Sequence, residues 1–149
     1  MSLFDSIQKD FISARKSRDT FMSKVLSMLV SDIKYEKING SKEDIDDELV
    51  ISVVQKSIKQ KKEALAEFEK AERDDLVKEA QDELAILEKY QPEQLSESKI
   101  REIAFKAKET LGANSPSDMG KLMKEVMSQV KGQADGKTVK DIVSQILNS

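Results

Sequence analysis

The feature that most restricts this chain is the spacing of its apolar residues, which recur three and four positions apart and almost never alternate. Toward the C-terminal end, Met119, Leu122, Met123, Val126, Met127 and Val130 follow one helical register, and Val139, Ile142, Val143, Ile146 and Leu147 repeat it. An α-helix turns 100° per residue, so each set gathers on one face, whereas a strand would scatter it over both. Two amphipathic helices facing each other across a turn are expected here.

The same period runs upstream. A first helix is expected from about Ser2 to Lys16, burying Leu3, Phe4, Ile7, Phe11 and Ile12. Asp19 or Thr20 can cap a second helix, whose apolar set of Met22, Val25, Leu26, Leu29 and Ile33 stops near Asn39-Gly40. A third helix, about Asp44 to Ala71, carries the sparse stripe Val50, Val53, Val54, Ile58, Leu65 and Phe68. Its centre, KSIKQKKEALAEFEKAE, is mostly charged and needs a partner helix. Leu76, Val77, Ala80, Leu84 and Leu87 mark a fourth helix.

Pro92 interrupts the pattern, since proline cannot continue a helical hydrogen-bond ladder and disfavours helical backbone at Gln91. Ser96 or Ser98 can cap a fifth helix, roughly Glu97 to Leu111, with Ile100, Ile103, Ala104, Ala107 and Leu111 on one face. The expected fold is all-α: an N-terminal long-helix bundle or hairpin over residues 1–92, then a small C-terminal three-helix unit over residues 93–149.

Composition narrows the chemistry. The 149 residues include no cysteine and no histidine, which removes thiolate nucleophiles, disulfides, thiolate metal sites and the commonest general base. No stretch approaches the roughly 20 apolar residues of a membrane span, and MSLFDSIQKDF mixes charge with apolar residues where a signal peptide needs an apolar run. A cytoplasmic protein without membrane association is expected. The net charge of −3 is unevenly spread: residues 1–42 hold eight basic and five acidic side chains, residues 43–95 eight and sixteen, and residues 96–149 nine and seven.

The segment KGQADGKTV joins the last two helices and raises the question of a phosphate cradle. Its local reading is a helix turn, with Gly132 closing one helix in left-handed geometry, Asp135 capping the next and Gly136 beginning it. A nucleotide-binding loop would need a preceding strand and a longer glycine spacing, so nucleotide hydrolysis is excluded. Lys121, Lys124, Lys131, Lys137 and Lys140 fall opposite the two apolar stripes, which makes them candidate RNA-binding residues. The amides at the start of the last helix could hold one backbone phosphate beside Lys131 and Lys137. The alternative for these lysines is a solvated polar face. No aromatic residue follows Phe105, so backbone or shape recognition, not base stacking, is the expected mode.

Other clusters carry less. The acidic run EDIDDE lacks the spacing and glycine of a calcium loop and suits a helix N-terminus, so no metal is expected. Met119, Met123 and Met127 read as core fillers, and KQKKE as the solvated face of a long helix. No catalytic constellation and no cofactor site are found.

MGKLMKEVMSQVKGQADGKTVKDIVSQIL resembles the C-terminal motif of the GatB/YqeY family, shared by small standalone YqeY-like proteins and the tail of the B subunit of tRNA-dependent amidotransferases. ARKSRDTFMSKVLSML, VQKSIKQKKEALAEFEKA and RDDLVKEAQDELAILEKYQPEQLS resemble the standalone protein as well, so the likeness covers nearly the whole chain. The sequence departs from the family pattern at Gln133, where a basic residue is usual, and at Gln91, where an apolar residue is usual. The resemblance implies an all-helical protein in two parts whose C-terminal part is similar to a tail that touches tRNA. It also implies, as partners, tRNA, a tRNA-dependent amidotransferase or another protein that handles aminoacyl-tRNA. The amidotransferase's catalytic centres lie in other domains and subunits with no counterpart here. A noncatalytic tRNA-binding module is the leading expectation. The alternatives are an accessory carbon–nitrogen ligase activity with glutamine as amido donor, which the resemblance alone supplies, and a protein adaptor that binds no RNA.

Overall fold

A computed structural model describes residues 2–148. Among the described residues the chain forms seven α-helices and one short 3-10 turn, with no strand. The order is α1 (Leu3–Lys16), α2 (Thr20–Asn39), α3 (Asp47–Lys70), α4 (Asp74–Glu88), α5 (Glu97–Leu111), the 3-10 turn Pro116–Asp118, α6 (Met119–Gln129) and α7 (Gly136–Leu147). The all-α expectation holds. Contacts divide the chain into two compact units between Gln91 and Pro92.

In the N-terminal unit, local side chains start each of the first three helices. Ser2 and Asp5 form a reciprocal capping box on α1, and Asp19 accepts from the Met22 N–H to open α2. α3 begins later than Asp44, because Asp46 takes the cap and accepts from the Leu49 N–H at 2.8 Å. The neighbouring Asp47 accepts from the Leu3 N–H at 2.9 Å. Two members of the acidic run thus satisfy helix amides that would otherwise lack a partner.

α1 packs on α2, α2 on α3, and α3 most extensively on α4. The partner that the charged centre of α3 requires is therefore α4, and Lys61 and Glu83 form an ion pair across the two helices. Ile7, Leu26, Leu29, Ile33, Val50 and Val54 are sealed in the core, with Leu84, Leu87 and Tyr90 closing it from the α4 side. Ile12 departs from the expected buried set and is 53% exposed. At 100° per residue it lies about 140° around α1 from Ile7, whereas Phe11 and Ala14 lie within about 40°.

Three helices of this unit end with a non-glycine residue in left-handed backbone: Arg18 (φ 60°), Ser41 (φ 52°) and Glu72 (φ 56°). After α2 the glycine sits one position early, since Gly40 has φ −86° and Ser41 makes the left-handed turn. In each case the next amide reaches back to the helix: Asp19 to the Ala14 carbonyl, Lys42 to Lys37 and Arg73 to Phe68, at 2.9 to 3.0 Å.

The C-terminal unit has its own core. Ile100, Ala104 and Ala107 of α5 meet Leu122 and Val126 of α6 and Val139, Ile142, Val143 and Ile146 of α7. Met119, Met123 and Met127 are half-buried against this cluster. Lysines cover exposed helix ends: Lys108 Nζ donates to the Ile146 carbonyl and Lys121 Nζ to the Leu111 carbonyl, each at 3.2 Å. Asp118 accepts from the Asn114 and Ser115 amides, which, the Asn114 bond foremost, hold its carboxyl below the usual range. No helix among the described residues is long and apolar enough to cross a membrane.

Candidate nucleic-acid interface

The α6–α7 hairpin closes through the segment Val130–Asp135. Val130 ends α6, Gly132 adopts φ +74°, and the Gln133 N–H donates to the Val130 carbonyl at 2.7 Å. Asp135 caps α7, with one carboxylate oxygen accepting from the Thr138 N–H at 2.7 Å and the other from the Thr138 hydroxyl at 3.0 Å. Gly136, the first residue of α7, has open space where a Cβ would stand.

A strap from the start of the same unit fixes this turn from outside. Gln94 Nε2 donates to the Gly132 carbonyl at 2.8 Å and also to the Pro92 carbonyl at 2.8 Å. The Leu95 N–H donates to the Gln133 carbonyl at 2.8 Å. Two successive carbonyls of the turn are thereby satisfied by residues 38 positions upstream. Sequence reading missed these partners, because a glutamine in a loop carries no periodic or capping signal.

Lys121, Lys124, Lys131, Lys137 and Lys140 are all exposed. Lys131 and Lys137 flank the turn, Lys140 lies one turn further along α7, and Lys124 and Lys121 lie back along α6. At 1.5 Å per residue, Lys121 and Lys131 are on the order of 15 Å apart along the α6 axis, too far for both to line one small pocket. Lys121 is also engaged at the end of α5, where it donates to Leu111. Glu125, Asp135 and Asp141 add negative charge to the same hairpin.

One sequence reading is narrowed. Of the amides opening α7, expected to be available to a phosphate, that of Thr138 is taken by the Asp135 carboxylate. A second anion there would meet that charge at close range. No group of three acidic, cysteine or histidine side chains that could hold a metal occurs among the described residues.

The profile of the YqeY-like protein family matches residues 4–147, nearly the whole chain. The chain belongs to the YqeY-like protein family. This YqeY-like chain is also similar to curated fungal proteins. "Altered inheritance of mitochondria protein 41, mitochondrial" of Pyrenophora tritici-repentis is 32% identical over 149 residues, covering 96% of this chain and 80% of that protein. The proteins of the same name in Kluyveromyces lactis and Lachancea thermotolerans are 33% and 29% identical over 86 and 85 residues, covering 58% and 57% of this chain. Each of those two matches spans 46% of the fungal protein.

These names overturn the expectation of a cytoplasmic protein, since the relatives are named as mitochondrial. The expectation rested on missing cysteine and missing apolar runs, properties that describe the solvent a chain tolerates and do not distinguish one aqueous compartment from another.

Proposed function

We propose that this YqeY-like chain is a noncatalytic helical module that binds tRNA through the lysine-bearing face of its C-terminal hairpin. The observation that carries the reading is the segregation on α6 and α7. Leu122, Val126, Val139 and Val143 are 0% exposed, while Lys121, Lys124, Lys137 and Lys140 stand in water. Exposed ammonium groups attract a phosphate backbone without reading its sequence. The hairpin carries no aromatic side chain, which favours contact with the backbone over stacking. The resemblance of KGQADGKTV and its flanking helices to the amidotransferase tail supports tRNA as the RNA.

Filter binding of bulk tRNA at 50 and 200 mM salt tests this reading. The unmodified chain retains tRNA at the lower salt, and changing Lys121, Lys124, Lys131 and Lys137 together to glutamine weakens retention without altering the thermal melt. Absence of retention at 50 mM salt by the unmodified chain overturns it. Persistence of a cellular complex after nuclease treatment, with no tRNA retained, assigns the function to a protein adaptor instead.

A further inference from the structure

A second basic surface lies in the N-terminal unit, in a trough of about 680 Å³ between the end of α1 and the first half of α2. Phe11, Arg15, Arg18, Thr20, Ser23, Lys24 and Ser27 line it. Its origin is visible in the register of α2. Thr20, Ser23, Lys24 and Ser27 recur at i, i+3, i+4 and i+7, so a polar stripe faces the trough where an apolar stripe would have sealed the helices together.

The chemistry of the lining is that of a phosphate-binding surface. Among the described residues, none of Arg15, Arg18 and Lys24 takes part in an ion pair. The adjacent carboxylate, Asp19, is turned to the Met22 amide as the α2 cap. Three hydroxyls stand beside the three cations, and neutral hydroxyl donors commonly complete phosphate contacts. Arg15 sits over the Phe11 ring, 5.7 Å from its centroid, which braces a guanidinium on whose plane a base can stack.

The trough is open. Arg15, Arg18, Thr20, Lys24 and Ser27 are exposed, and only Phe11 and Ser23 are half-buried. Small-molecule pockets bury most of their ligand, which this lining cannot do. A cationic groove with hydroxyl donors and an arginine–aromatic pair suits an extended backbone that remains partly solvated. We propose that the α1–α2 trough binds single-stranded RNA, with Arg15, Arg18 and Lys24 on successive phosphates and Arg15 beneath a base.

The test is fluorescence anisotropy of a labelled twelve-nucleotide single-stranded RNA with the full chain, between 50 and 200 mM salt. The triple variant Arg15→Gln, Arg18→Gln, Lys24→Gln is expected to bind at least about tenfold more weakly at 50 mM, with the salt slope reduced by about 2, since each single-strand phosphate contact contributes about 0.7. Arg15→Lys retains most of the phosphate attraction and loses the preference for purine-rich strands that stacking gives. An unchanged thermal melt shows that the loss is not unfolding, and a variant that fails to fold is replaced by Arg18→Gln with Lys24→Gln, for which the same direction is expected. Equal binding by the unmodified chain and the variant overturns the proposal, as does saturable binding of AMP alone with no gain from the longer strand. The C-terminal lysine variant keeps the short strand's affinity, so failure of tRNA binding at the hairpin and failure here are read separately.

Discussion

The phenolic hydroxyl of Tyr90 donates to the Asp10 carboxylate at 2.7 Å, tying the segment just past α4 to the middle of α1. Tyr90 is 4% exposed, and Lys89 Nζ approaches the same carboxylate at 3.4 Å. A hydrogen bond to a charged group contributes about 1.5–3 kcal/mol, so Tyr90→Phe is expected to lower stability by about that amount, read from urea unfolding. Burial first, then the hydrogen bond to Asp10 and the charge of that carboxylate, raise the Tyr90 pKa above its ordinary 10.0. The unfolded chain therefore loses this proton first as pH rises, and the stability held by the pair is present below pH 10 and lost above it. The phenylalanine variant should show a smaller alkaline decline; an identical decline would count against this role.

The two glycines of the hairpin turn should respond in opposite directions. Gly132 holds φ +74°, where a Cβ costs about 1–2 kcal/mol, so Gly132→Ala destabilises. Gly136 opens α7 with free space around its Cα, so Gly136→Ala stabilises by about 0.4–1 kcal/mol through the unfolded chain. Paired thermal melts check both signs.

Glu72 occupies the left-handed position that ends α3 and is exposed. Replacing it by glycine removes the steric cost of that backbone and adds entropy to the unfolded chain, a balance expected to stabilise by about 0.5 kcal/mol. A midpoint lower than that of the unmodified chain in urea would contradict the assignment of strain.

The lysines of the hairpin should act additively and without sequence preference. Lys124→Gln and Lys140→Gln should each lower the salt slope of tRNA binding by about 0.7–0.9 if each neutralises one phosphate. Lys121→Gln should also cost stability, because this lysine covers the Leu111 carbonyl. Salt titrations and melts on the three single variants separate these effects.

Most of the helical fold is legible in the spacing of the apolar residues. Leu122, Val126, Val139, Ile142 and Ile146 are buried where that spacing puts them, because the 100° step and the need to hide apolar surface act within one helix. Ile12 does not belong with the expected inward set, since the same step turns it about 140° from Ile7, and more than half of its side chain stays in water. α2 stops at Asn39-Gly40 as expected, but the left-handed residue is Ser41, a matter of where the last helical hydrogen bond falls. The candidate surfaces were only partly legible. The α2 polar stripe could have been read from Thr20, Ser23, Lys24 and Ser27, but a polar stripe on a helix ordinarily faces water, and only packing shows that it faces a trough.

The order of amino acids was enough to set the helices and most of their inward faces and side-chain caps, because those depend on residues three or four positions apart. Tertiary packing decided that Gln94 and Leu95 hold the carbonyls of Gly132 and Gln133, that Asp47 receives the amide of Leu3, and that Arg15, Arg18 and Lys24 border one open trough. Those relationships join residues far apart in the chain or on different helices, and their partners are chosen by how the apolar faces pack.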